Sequence, residues 1–225
     1  MKTLQNNRFY DAAVFDLDGT LLDTLPDLTY AVNAALSYSG HKKVSGADMH
    51  SFIGNGTFTL IGRALGKDCN EETCIKTHKK FLEIYGDHLF DRTKPYDGIK
   101  DLLIFLRGQG MKIAVVSNKD DAFSKALISR FFGSLVDITK GTVKMEERKP
   151  DPSVTLSVLD SFGVAPERAV FVGDGLTDMM TSKAAGTDFI PVGYGYNDPK
   201  LLFEKSGIIP VMNVSELKDR FPSMW

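Results

Sequence analysis

Asp16 and Asp18 stand two residues apart in Phe15-Asp16-Leu17-Asp18-Gly19-Thr20-Leu21, directly after the apolar run Ala12-Ala13-Val14-Phe15. Such a run reads as a buried strand. A strand end is a rigid mount for a side chain, and glycine at position 19 lets the backbone turn sharply. Two acids so close repel each other, so the site needs a cation, a shared proton, or both. A carboxylate nucleophile beside a general acid/base and a hard metal ion would meet that need. A pair of turn or helix-capping aspartates would explain an isolated D-x-D, but not the three polar clusters that follow downstream.

The first of these, Ser117-Asn118-Lys119, comes after Lys112-Ile113-Ala114-Val115-Val116. A small hydroxyl and backbone N–H groups at a strand end can cradle phosphate oxygens. The plainer alternative is a βα loop with an N-cap serine. Next comes Arg148-Lys149-Pro150-Asp151-Pro152. Its prolines fix the chain just ahead of a helix. That would hold Lys149 near the strand ends, able to neutralise a nucleophile and a phosphate, whereas an isolated lysine in a basic loop is solvated surface. In Val172-Gly173-Asp174-Gly175-Leu176-Thr177-Asp178, Asp174 leaves a strand end between glycines and Asp178 falls near a helix start. One carboxylate can ligate Mg²⁺, and the other can orient a water or Lys149. A glycine-rich turn with an N-cap aspartate is the structural alternative.

The elements needed to position these groups are legible. Short, nearly continuous apolar runs at Ala12–Phe15, Lys112–Val116, Val136–Thr139, Ala169–Val172 and Asp188–Val192 suit strands covered on both faces. Helical stretches at Ile99–Arg107, Ala122–Phe131, Pro152–Phe162 and Asp178–Ala185 alternate with them, which predicts a doubly wound α/β fold with a parallel, Rossmann-like sheet. Residues 23–94 hold no convincing strand and read as helices at Pro26–Ser39, Gly46–Ser51, Thr57–Leu65 and Asn70–Leu89. We therefore expect an all-helical cap, 23–94, inserted after the first strand of a core made of 1–22 and 95–225. Such an insert would lie above the carboxyl ends of the strands, where open α/β sheets bind ligands. Asp23-Thr24 and Lys94-Pro95-Tyr96 would be its hinges.

Composition narrows the function. The chain has 225 residues, 43% apolar and 25% charged, with a net charge of −2. No global basic field invites nucleic acid or an anionic membrane, so any anion must be recognised locally. Cys69 and Cys74 lie five apart in a predicted helix, off a common face and out of disulfide geometry. That spacing predicts free thiols in a reducing, cytoplasmic setting. His78 alone would not complete a zinc site with them. The stretch Met1–Tyr10 lacks the apolar core of a signal peptide, and no run approaches the roughly 20 residues of a membrane span. Phe105, Phe131, Phe132 and Phe171 read as packing, the four histidines as dispersed polar groups, and Trp225 as a tail residue that docks or frays.

In this order, the D-x-D-G-T, the serine, the lysine-proline and the G-D-x-x-x-D resemble the haloacid dehalogenase superfamily over essentially the whole chain. The resemblance implies an aspartyl-phosphate mechanism. Asp16 would be the nucleophile and Asp18 the acid/base, Ser117 and Lys149 would hold the phosphoryl group, and Asp16, the Asp18 carbonyl and Asp174 would bind Mg²⁺. Gly173 and Asp178 would support them, with Gly19, Thr20 and Asn118 near the substrate. An acid at position 18 points to phosphatase or phosphomutase chemistry rather than carbon–halogen cleavage. Thr24-Leu25-Pro26-Asp27-Leu28, Ile53-Gly54-Asn55-Gly56, Leu60 to Gly66 and Gly193-Tyr194-Gly195-Tyr196 are similar to phosphoglycolate phosphatases. Gly54, Asn55, Gly56 and Arg63 would then face the substrate.

Ser117 stands where threonine is commoner, and Lys140 to Glu147 departs from the usual loop. The implied substrate is a small phosphorylated metabolite, with 2-phosphoglycolate ahead of sugar phosphates, nucleotides and pyrophosphate. The partner expectation is that metabolite alone, with no nucleic acid or membrane, and the protein acting as monomer or homodimer. A phosphomutase resembling β-phosphoglucomutase is the enzyme alternative, without its arginine- and serine-rich cap signature. A silent binding module would have lost a catalytic group, and a nucleotide-binding protein would show a G-x-G-x-x-G or a glycine-lysine loop. Neither feature is present.

Overall fold

The computed structural model describes residues 9–222. The N-terminal residues before Phe9, and the tail containing Trp225, lie outside them. The first strand, β1 (Ala12–Phe15), is followed by a two-residue strand, β2 (Leu22–Asp23). Four helices come next: α1 (Leu25–Tyr38), α2 (Gly46–Phe52), α3 (Thr57–Leu65) and α4 (Glu71–Asp87). A second two-residue strand, β3 (Lys94–Pro95), returns from them. Strands and helices then alternate as α5 (Ile99–Gly108), β4 (Lys112–Asp120), α6 (Asp121–Phe131), β5 (Ile138–Thr142) and α7 (Ser153–Phe162). The chain continues through β6 (Ala169–Gly173), α8 (Leu176–Ala185), β7 (Asp188–Pro191), α9 (Pro199–Ser206) and α10 (Val214–Lys218).

Five strands form one parallel sheet in the order β5-β4-β1-β6-β7. Alternate residues of β1 enter two different cores: Ala13 and Phe15 join one, Ala12 and Val14 the other. Both faces of the strand are therefore covered, which is why its sequence is uniformly apolar. Phe15 is in register with Val115 of β4 and Val172 of β6. Asp16 follows Phe15 directly, and Ser117 and Asp174 come two residues after Val115 and Val172, so the three meet at one end of the sheet beside the point where strand order reverses. The crevice at such a point is where α/β sheets bind ligands.

Helices α1 to α4 pack on one another, α1 and α3 both against α4. Their shared apolar interior includes Met49, Ile61, Phe81 and Tyr85, all fully buried. The helix positions follow the sequence reading, but the segment is not strand-free at its ends. β2 and β3 pair antiparallel, Leu22 with Pro95 and Asp23 with Lys94, at the two segments read as hinges. Two residues per strand carry no readable alternation. This short ribbon is tied further by Asp27, whose buried carboxylate accepts the Arg92 N–H at 2.9 Å, the Thr93 N–H at 2.8 Å and the Thr93 hydroxyl at 2.8 Å. Asp27→Ala strands two buried donors of Thr93 and the half-buried N–H of Arg92 at once. We expect it to lower stability by about 3 kcal/mol, read as a shifted urea midpoint at an unchanged slope.

The cysteine expectation is overturned. Cys69 and Cys74 form a disulfide, with Cα atoms 5.6 Å apart. The error lay in the start of α4. Asn70 is its extended N-cap and accepts the Thr73 N–H, while Cys69 precedes it with φ −75° and ψ 113°. Only Cys74 is helical, so the two side chains are not bound by the angular spacing of one helix. Their geometry therefore gives no support to a reducing compartment. No helix among the described residues is long and apolar enough to cross a membrane.

Candidate active site

The ends of β1, β6 and α8 bring three carboxylates together. One oxygen from each of Asp16, Asp174 and Asp178 lies within 4.8 Å of the others, and all three residues are buried. The Lys149 ammonium sits among them, 2.7 Å from Asp16 Oδ1 and 2.6 Å from Asp178 Oδ1. Burial, then the charge of Asp178, pushes the Asp16 carboxyl up to about 8, even though Lys149 opposes the shift. The same causes raise Asp174 to about 6. Lys149 is correspondingly held charged: burial favours its neutral form, but Asp16 and Asp178 outweigh that.

Local structure explains why each group points inward. Asp16 Oδ1 accepts the N–H of Leu17 at 2.7 Å. Asp178 caps α8 by accepting the Gly175 N–H at 2.9 Å. A side chain on Gly173 would collide with Asp178, so this glycine is what lets α8 start so close to β6. Asp174 Oδ2 accepts the Tyr196 N–H at 2.7 Å and the Asn197 amide at 3.2 Å. Among the described residues no protein donor is bonded to Asp16 Oδ2 or Asp174 Oδ1. Two hard carboxylate oxygens without donors, beside a third acid in a buried cluster, fit a small divalent cation that keeps several waters.

This charge pattern makes a testable statement about the metal-free protein. Asp16 and Asp174 hold their protons more tightly folded than unfolded, so folding is most favoured at acid pH. Stability should fall as pH rises through about 6 and then about 8. A divalent cation should raise the melting temperature by several degrees at the alkaline end and little at the acid end. An equal shift at both ends would remove the carboxylate cluster as the binding site.

Asp18 is placed differently from the other acids. Both of its oxygens contact the Lys119 ammonium, at 2.9 and 3.0 Å, and Oδ1 also accepts the Thr24 hydroxyl at 2.6 Å. Thr24 is in turn fixed through its N–H, which donates to the Tyr196 hydroxyl at 2.6 Å. Lys119, Thr24 and Tyr196 are the contributors that motif reading passed over. The sequence carried no signal for Lys119, because the apolar run ends at Val116; only the structure extends β4 to Asp120 and buries this lysine, which must then be paired.

A cavity of about 330 Å³ opens over these groups. Asp16, Asp18, Ser117, Asn118, Lys149, Asp174 and Asp178 line it from below, and Gly54, Asn55, Gly56 and Arg63 from the helical side. Gly19, Thr20 and Gly173 are not on its wall. Gly19, with φ +81°, lies so close to Asp174 that a Cβ there would fall 2.6 Å from Oδ2. Thr20 is wholly buried, its carbonyl accepting from the Tyr194 hydroxyl. Both shape the turn behind the carboxylates. Asn118 lines the cavity, but its amide is already engaged. It donates to the carbonyls of Gly54 and Lys149, both at 3.0 Å, and accepts the Lys149 N–H at 2.8 Å. It joins the Gly54 loop to the Lys149 loop rather than presenting a free donor. Arg63 donates through Nη1 to the carbonyls of Ser51 and Phe52, at the end of α2.

Residues 13–192 match the family model for haloacid dehalogenase-like hydrolases. The chain belongs to that family. Its haloacid dehalogenase-like relatives include phosphoglycolate phosphatase 1 of Pseudomonas aeruginosa, 34% identical over 93% of this chain and 78% of that protein. Phosphoglycolate phosphatase of Nitrosospira multiformis is 33% identical over 86% of this chain and 87% of its own length. A crystal structure from Lactobacillus delbrueckii subsp. bulgaricus, named as a candidate phosphoglycolate phosphatase, superposes with a TM-score of 0.87 at 30% identity. It covers 94% of this chain and 98% of its own.

Proposed function

We propose that this haloacid dehalogenase-like hydrolase is a Mg²⁺-dependent phosphomonoesterase that works through an aspartyl-phosphate on Asp16, with 2-phosphoglycolate as its leading substrate. The observation that carries the reading is Lys149 bridging Asp16 and Asp178 beside Asp174. Phosphoryl transfer needs positioning and charge neutralisation above all, and this cluster offers a nucleophile, a fixed ammonium and two spare carboxylate oxygens.

In the first half-reaction an Asp16 oxygen bonds to phosphorus as the bond to the leaving oxygen breaks, and that oxygen takes the proton of Asp18. In the second, a water oxygen bonds to phosphorus, its proton passes to Asp18, and the Asp16–phosphorus bond breaks. Phosphate leaves, and both aspartates return to their starting states. Ser117 and Lys149 bind the phosphoryl oxygens, and Lys149 balances the charge of Asp16 before attack. Asp16, Asp174 and the Asp18 carbonyl would hold Mg²⁺, which adds positive charge against the developing phosphoryl charge.

In this reading residues 23–94 form a cap over a core of 1–22 and 95–225. The cavity lies near the lower end of the range for small-ligand sites, which suits a small phosphomonoester. Arg63, which keeps donors beyond Nη1, is the cap cation available to a substrate carboxylate. The relatives named for phosphoglycolate hydrolysis support the substrate. We assign the protein a cytoplasmic site of action on such metabolites.

Phosphate release from phosphoglycolate, pyrophosphate, nucleoside monophosphates and hexose phosphates, with and without Mg²⁺, tests the whole reading. Mg²⁺-dependent turnover favouring phosphoglycolate is the expected result. Broad, weak turnover would leave the mechanism and remove the substrate. No phosphate from any of them would overturn both.

A further inference from the structure

We infer that Lys119 is the positioning residue for Asp18, acting on the reaction only through that carboxylate; the inference rests on the phosphatase reading above. Lys119 is the next-to-last residue of β4, and its side chain is 1% exposed. A buried ammonium is tolerated only with a partner, and Asp18 is its one carboxylate partner among the described residues. The pairing engages both Asp18 oxygens. On the far side, the ring of Tyr85 from α4 covers the ammonium at 4.8 Å. Tyr85 is itself fully buried, so the helical segment covers one side of the Lys119 ammonium.

An aspartate at this place needs a restraint. Asp18 follows Asp16 by two residues in a turn beside two further acids, and its short side chain has two free torsions. Left alone, it would turn to solvent, away from the neighbouring negative charges. Lys119 and the Thr24 hydroxyl close off that freedom with three hydrogen bonds to one carboxylate. Misplacing an acting group by about 1 Å can slow a reaction by roughly 10². Lys149 serves the nucleophile and Asp178, so the two buried lysines divide the acids between them.

The test uses the leaving group. A 4-nitrophenyl phosphate expels a phenolate that departs without a proton, whereas an alkyl phosphate needs one from Asp18. In a phosphoenzyme mechanism kcat/KM reports the first half-reaction alone. Lys119→Met and Lys119→Gln should each lower kcat/KM for the alkyl substrate about tenfold or more beyond any loss on the aryl substrate. Adding either change to Asp18→Ala should cause no further loss on the alkyl substrate. Equal losses on both substrates, or losses that add to those of Asp18→Ala, would overturn the inference. Failure of both variants to fold would also overturn it, by making Lys119 a structural residue. An inactive wild type would sink the phosphatase reading instead.

Discussion

Asp16→Asn is expected to lower phosphate release by roughly 10⁴-fold or more while leaving the fold intact. The amide oxygen is a poor nucleophile, and the amide removes one oxygen from the metal set. The fold should survive because Asn keeps the shape and the acceptor that the Leu17 N–H uses. It also removes a carboxyl that burial and Asp178 keep protonated up to about pH 8 in the folded state, at a cost in stability at neutral pH. The metal-free variant should therefore melt no lower than the wild type at neutral pH, even as activity disappears. Steady-state release and a thermal melt on the same sample check both parts. Retained turnover would remove the aspartyl-phosphate, and a collapsed fold would show that the Asp16–Lys149 pair is needed for stability.

Lys149→Met should damage both activity and stability. Lys149 is the cation between Asp16 and Asp178, and its side chain is 2% exposed. Methionine fills the space and leaves three buried carboxylates without a counter-charge. Removing one partner of a buried pair costs about 3–5 kcal/mol. Without the ammonium, which holds them down, the carboxyls of Asp16 and Asp174 shift further upward and bind protons more tightly folded than unfolded. The variant should accordingly keep its stability at acid pH and lose it as pH rises. Urea melts near pH 5 and near pH 8 should show a deficit that is small at the first and large at the second. A deficit equal at both would mean that the lysine acts by packing alone. Turnover should fall roughly 10³-fold or more, since one fixed positive charge at a transferring phosphoryl group is worth that much.

Asp16 and Asp174 were legible because each follows a short apolar strand and Ser117 because it follows the apolar part of β4, whereas β5, Ile138-Thr139-Lys140-Gly141-Thr142, is neither buried nor apolar and lies two to three residues beyond its expected place. Asp16, Ser117 and Asp174 needed only the parallel register to meet. Lys149 was legible through its flanking prolines. The helices of 23–94 were legible by elimination. Other features depended on contacts between distant segments. Asn118 appeared to be a substrate donor because it follows Ser117, yet its amide joins Gly54 to Lys149. Arg63 appeared free, yet part of its guanidinium holds the end of α2. The disulfide was misjudged because Cys69 was counted as helical, although it precedes the N-cap Asn70 of α4.

By itself the sequence determined the α/β architecture, the run of helices between the first two strands of the main sheet, and the residues Asp16, Lys149 and Asp174 to which the proposed roles attach. All of these are written in local order, as a residue's type and its distance from a strand end. Only the tertiary structure decided which charge answers which. Asp18 is paired with Lys119 at 101 residues' separation, and Asp178 with Lys149 at 29. Buried charges must find partners wherever the fold brings them, and that choice depends on distances across the sheet, which chain order does not carry.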